Sequence, residues 1–121
     1  MADVRPDLAV YKIVDPTAWA EMERTGAYTL SADDQRDGFV HFSRLGQVVE
    51  TARRHFAEAG ELVVLEVDTA PLIDFLHWEE GRGGELFPHL YGDFTLEEVR
   101  RHWRVAPRGD GWAWPEEIAR A

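Results

Sequence analysis

The chain has 121 residues, 45% of them hydrophobic and 30% charged, with five Trp. That is the length of one domain and enough to bury a core. A net charge of −10 repels a phosphate backbone at long range, so duplex DNA and long RNA are disfavoured as partners. The absence of cysteine excludes disulfides, a thiol nucleophile and a thiolate metal site.

Of the 13 basic residues only Lys12 is a lysine, and a small anion held in a local arginine pocket stays compatible with the overall charge. Residues 1–8 contain no apolar h-region, and no run approaches the roughly 18 apolar residues of a membrane helix. A soluble, cytoplasmic protein without a membrane partner is expected. The chain reads as a single domain with its core over residues 9–106.

Residues 9–14 are β-branched and aromatic, the pattern of a first strand, with Val10, Lys12 and Val14 on one face. Asp15-Pro16 offers an N-cap followed by proline at the first helical position, and that helix runs to Gly26 with Trp19 and Met22 inward. Residues 28–30 read as a brief extended piece, and residues 31–37 as a solvated loop or one turn capped by Ser31. A second strand over 38–43 sets Phe39, His41 and Ser43 on one face, with Val40 and Phe42 on the other. Ser43 is expected to cap the following helix, whose apolar stripe is Leu45, Val48, Val49, Ala52 and Phe56 and whose end is Gly60.

The near-continuous apolar run 61–68 predicts a central strand covered on both faces. A short helix capped by Asp68 or Thr69 and a strand over 76–79 come next. Residues 82–92, Arg-Gly-Gly-Glu-Leu-Phe-Pro-His-Leu-Tyr-Gly, carry no helix or strand period and read as a constrained polar loop, the first place to look for a site. Thr95 starts one or two helical turns, and a last strand lies over 102–106. Asp110-Gly111 marks a turn before Trp112 and Trp114, which cover a core edge, a dimer contact or a ligand wall. An acidic tail from residue 115 is expected to be loosely attached.

Three of these motifs in order, Asp37-Gly38-Phe39-Val40-His41-Phe42-Ser43, then Leu65-Glu66-Val67-Asp68, then residues 82–92, resemble the bacterial family called domain of unknown function 952. The likeness spans about residues 10–105. Members are often labelled glutathione S-transferase domain-containing. With no cysteine, no thioredoxin-like pattern and no room for a second helical domain, that label has no support here. The resemblance implies an α+β, ADP-ribosylation-like fold: a split, mainly antiparallel sheet with two to four short helices that grips an NAD-type ligand. Residues 39–43 and 64–68 are also similar to motifs of RNA 2′-phosphotransferases. Two places depart from them: Tyr11-Lys12-Ile13-Val14-Asp15 stands where a His-Gly-Thr-like turn is found, and Phe39 replaces the first histidine of a pair.

The candidate catalytic residues are Glu85, His89 and His41, with Glu85 as the acid/base or ribose-binding carboxylate by analogy. Lys12, Ser43, Arg82 and Tyr91 are the candidate ligand-binding residues: arginine binds phosphate bidentately and tyrosine stacks on a base or nicotinamide. His89 and Tyr91 alternate around Leu90, so they project together. Ser43 lacks a nucleophile elbow and is read mainly as a cap. His41, His77, Glu79, Glu85 and His89 could converge on a metal, but no metal-binding signature is present and none is expected. Three functions stay open: a transferase or hydrolase acting on NAD or an ADP-ribose derivative, a non-catalytic binding module, and a metal-dependent hydrolase. A homodimer is equally open.

Overall fold

The computed structural model describes residues 8–121; the reading of residues 1–7 lies outside the described residues. Strand β1 (Ala9–Val14) pairs antiparallel with β3 (Leu62–Asp68), and β3 with β6 (Val99–Val105), so β3 is central in the order β1-β3-β6. A second antiparallel sheet has the order β2-β5-β4, with β2 Val40–His41, β4 Leu76–Glu80 and β5 Leu86–Leu90. Among the described residues, the two sheets join where Tyr11 and Ser43 exchange both backbone hydrogen bonds at 2.8 Å. Residues 40–43 thus leave one sheet and end on the edge of the other. This is an α+β architecture built on a split antiparallel sheet, as expected.

The alternation along β3 explains why both its faces are buried. Val63, Leu65 and Val67 enter one core with Val10, Val14, Trp19, Met22, Val40, Phe42 and Phe94. Leu62 and Val64 enter a second core with Tyr11, Ile13, Val48, Ala52, Val105 and Ile118. Each fully buried aliphatic side chain contributes roughly 2 kcal/mol relative to exposure. These two layers fix β1 and β3, and with them the cleft described below.

Helix α1 (Pro16–Thr25) begins as its sequence dictates. Asp15 accepts from the Ala18 amide at 2.7 Å, and Gly26, at φ +83°, donates to the Met22 carbonyl. The left-handed conformation at Gly26 is one that a Cβ would oppose. Residues 31–37 are a formed helix, α2 (Ala32–Asp37), with Ser31 capping the Asp34 amide and Gly38 closing it at φ +82°. Residues 28–30 are not a strand; an isolated bridge of Ala27 with Thr95 fixes that region. Thr95 caps a single 3-10 turn, Leu96–Glu98.

Several expectations are corrected. Ser43 caps nothing: its hydroxyl donates to Thr51 Oγ1 at 3.1 Å, and the helix starts instead as a 3-10 turn, Leu45–Gln47. The α-helix α3 (Val48–His55) ends before Gly60, with Phe56 at its C-cap, and Val49 is exposed. Residues 82–92 are not a loop throughout. Arg82–Gly84 is a 3-10 turn and β5 takes up residues 86–90. The final strand β6 starts at Val99, and the turn after it is at residues 109–110, between β7 (Pro107–Arg108) and β8 (Gly111–Trp112). The tail is anchored: α4 (Glu116–Ala119) buries Ile118 in the second core. Among the described residues, no helix is long and apolar enough to cross a membrane.

Candidate functional site

The buried charge at the centre of the molecule comes from β1 and α2. Lys12 lies on the apolar Val10/Val14 face of β1, where an ammonium needs a counter-charge. Asp34 supplies it from the buried side of α2: Lys12 Nζ is 3.2 Å from Asp34 Oδ2 and donates to the His41 carbonyl at 2.8 Å. Asp34 is 1% exposed and accepts from three further groups: the Tyr28 hydroxyl at 2.6 Å, the His41 amide at 3.1 Å and His41 Nδ1 at 2.6 Å. Burial alone would raise this carboxyl. The His41 bond, the Lys12 charge and the Tyr28 bond outweigh burial and hold it well below the usual carboxylate range. Burial, then the bond to Asp34, pushes the Tyr28 hydroxyl up. Burial pulls the Lys12 ammonium down, with Asp34 opposing.

His41 is held at both ring nitrogens, since Nε2 lies 2.8 Å from Asp37 Oδ2. Across the β2–β5 ladder its register partner is His89, and across β5–β4 His89 faces His77. The His41 and His89 rings are edge-to-face with centroids 5.6 Å apart. His89 Nδ1 lies 2.7 Å from Glu79 Oε1, and the Tyr91 hydroxyl donates to the same oxygen at 2.8 Å. Those two bonds hold the Glu79 carboxyl below its ordinary value, and Glu79 in turn raises the Tyr91 hydroxyl. Phe39 stacks on His89 at 4.0 Å and touches the His41 and Tyr91 rings.

A cleft of about 590 Å³ opens beside these rings, bounded by β1, α2, α3 and the β4–β5 turn, with His41, His89, Ser43, Thr51, Arg82 and Asp37 in its lining. This lies within the usual size range of small-molecule sites. Phe39, Phe42, Phe56 and Phe87 supply aromatic surface, and Arg36 and Arg82 supply guanidinium groups. The Arg82 guanidinium lies over the Phe87 ring at 5.0 Å and donates to Thr51 Oγ1 at 3.4 Å.

Four of the seven residues singled out by sequence, His41, Ser43, Arg82 and His89, therefore meet in one cleft. Three stand apart from it. Lys12 is underneath, spent on Asp34. Tyr91 is not in the cleft lining; its ring is 5.2 Å from that of Phe39 and its hydroxyl is engaged by Glu79. Glu85 is exposed and accepts from Gln47 Nε2 at 3.0 Å; the turn at Arg82–Gly84 carries it away from the cleft, whose carboxylates come from α2 instead. Sequence reasoning missed Asp34, Asp37 and Thr51 as parts of the site. Lys12 was the available signal, because a lone cation on an apolar strand face calls for a buried acid. Among the described residues, no three His, Asp or Glu side chains are gathered as a metal site; His77 turns its ring edge-on to Tyr91 instead.

No curated protein matches the chain. The chain is similar to the protein CC0527 of Caulobacter crescentus. Its crystal structure is 37% identical, with a TM-score of 0.84 over 92% of this chain and 98% of that one. The solution NMR structure of CC0527 is 38% identical, with a TM-score of 0.76 over 88% of this chain and 91% of that one. The family model described as "protein of unknown function (DUF952)" matches residues 13–102. With most of its length matched and its fold shared with CC0527, the chain belongs to that DUF952 family.

Proposed function

We propose that the cleft binds a small nucleotide-like or phosphorylated ligand, of the NAD or ADP-ribose type, and that His41 and His89 act on it as an acid–base pair. The observation that carries this reading is the facing of two imidazoles across one ladder, each with Nδ1 against a carboxylate, on the wall of an open cleft. A carboxylate on Nδ1 fixes ring orientation and tautomer, the arrangement that suits a histidine to proton transfer. One imidazole would accept the proton of an attacking hydroxyl or water; its partner would donate one to an oxygen leaving group, whereas nicotinamide, cationic in NAD, leaves neutral with the electron pair of the broken C–N bond and needs no proton. Aromatic surface suits a base or nicotinamide ring, and Arg82 suits a phosphate. The ADP-ribosylation-like likeness points to the same ligand class and supports a transferase or hydrolase reaction.

A second reading, a non-catalytic binding module, is favoured by one observation. Phe39 lies flat on His89, leaving that side chain 12% exposed. The two readings agree on binding and differ on turnover. Calorimetric titration of the full chain with NAD and ADP-ribose, with chromatography for released nicotinamide, separates them. Binding with nicotinamide release that is lost in His89→Ala supports catalysis. Binding without release supports the module, and binding of neither compound sinks both.

A further inference from the structure

We infer that Asp37 is the specificity element of this cleft: its carboxylate stands on His41 Nε2 as a placeholder for an anionic group of the ligand. The inference rests on the reading of the cleft as a ligand site and names what that site selects, a phosphate-bearing ligand over a neutral one. Both nitrogens of His41 lie against carboxylates, Nδ1 at 2.6 Å from Asp34 and Nε2 at 2.8 Å from Asp37. Each ring nitrogen is thus engaged by a carboxylate oxygen, and neither is left for a ligand while Asp37 stays.

The two carboxylates are not equivalent. Asp34 is 1% exposed and locked by Lys12, Tyr28 and His41. The Asp37 side chain is 31% exposed, at the cleft rim. It ends α2 at the carbonyl end of the helix, which disfavours an anion. Asp37 also has a second home. Arg36 Nε is 2.9 Å from its Oδ1 and Arg36 Nη2 is 3.1 Å from its Oδ2, so leaving His41 strands no charge. A phosphate brings more charge and more acceptor oxygens to the freed Nε2 than a carboxylate does. A neutral hydroxyl does not compete. The gate is thus chemical, with an anion exchanged for an anion.

The test is binding of inorganic pyrophosphate and of adenosine to the full-length wild-type chain and to Asp37→Ala, followed by the His41 imidazole ¹⁵N resonances. Asp33→Ala is the control, because it removes an equal charge from the same rim and contacts Arg36 at 3.1 Å. Loss of the competing charge-assisted bond should tighten pyrophosphate binding by about ten-fold in Asp37→Ala, with an Nε2 shift on titration and under three-fold change in Asp33→Ala. Detectable binding in Asp37→Ala alone also supports the inference. Wild-type binding that Asp37→Ala leaves equal or weaker overturns it while the ligand site stands. An equal gain in Asp33→Ala overturns it too, since bulk charge then explains the effect. If no form binds pyrophosphate or adenosine, the ligand-site reading itself fails and takes the inference with it.

Discussion

Replacing Asp34 by Asn keeps the shape of the buried hub and removes its charge. Lys12, 7% exposed and 3.2 Å from Asp34, then loses its counter-charge and keeps only neutral acceptors, the His41 carbonyl among them. Removing one partner of a buried ion pair costs about 3–5 kcal/mol. Lys12 can escape by giving up its proton, which sets a ceiling. At pH 7 that costs about 5 kcal/mol, from 1.36 kcal/mol per unit over the roughly 3.4 units below an ordinary lysine. At pH 9 the same escape costs about 2 kcal/mol. In the variant the folded state binds fewer protons at Lys12 than the unfolded chain, so its stability rises with pH. Urea unfolding followed by Trp fluorescence, with Trp19 buried beside the hub's core, should show Asp34→Asn losing about 4 kcal/mol at pH 7 and about half that at pH 9. Lys12→Met in the same chain should recover most of the loss. A loss under about 1 kcal/mol, or one that neither shrinks at pH 9 nor is rescued by Lys12→Met, refutes the reasoning. In the wild type the sign is the same but the window is lower. Asp34 is depressed on folding, so its contribution is present above about pH 4, the ordinary aspartate value, and is lost as pH falls below that.

Three further outcomes are expected. Ile118→Ala, at a site 1% exposed in the second core, should cost about 2–4 kcal/mol in the same unfolding assay; a loosely attached tail would lose under about 0.5 kcal/mol. Glu79→Gln removes the carboxylate that raises the Tyr91 hydroxyl, so the Tyr91 ring signal in an NMR pH titration should ionise at lower pH than in the wild type. An unchanged midpoint would show that the Tyr91–Glu79 bond is not formed in solution. Gly81→Ala places a Cβ 2.7 Å from Phe87 Cδ1 and must displace a buried ring of the cleft wall. It should cost about 1–3 kcal/mol of stability and weaken any ligand that wild type binds, both read by thermal shift with and without ADP-ribose.

The parts of the fold that were legible are those whose signals are local. Asp15-Pro16 and Gly26 bracket α1 because cap and stop act within one turn, and 61–68 reads as a two-faced strand because its apolar run leaves no polar face. Residues 82–92 misled for an equally physical reason. Pro88 argues against a central strand, yet β5 lies between β2 and β4. The Phe42 amide donates to the Pro88 carbonyl at 3.0 Å, and the reciprocal bond is the one proline cannot make. It is missing just where the two-residue ladder of β2 ends, so the cost falls at a strand end. The tail misled because Ile118 stands alone among polar neighbours, and its burial depends on a core assembled from β1, α3 and β3.

The site was half legible, and the dividing line is sequence distance. His41 and Ser43, or His89 and Tyr91, lie two apart, so alternation alone pairs them. The carboxylates that orient the rings are chosen by topology. Glu79 reaches His89 across the β4–β5 ladder, and Asp34 reaches Lys12 and Tyr28 from a segment that reads as solvated. The role of Glu85 rests on analogy alone, and four residues of extended chain set it about 13 Å from His89 at 3.3 Å per residue. Asp34, seven residues from His41 with a helix and a reversal between them, touches it at 2.6 Å. The local rule fails here because an acid that must sit against an imidazole and a buried lysine at once can only come from another element. Lys12 is the residue that links the two levels. Its place on an apolar face is a local fact, its need for a buried acid is an energetic one, and the acid that meets that need also orients His41.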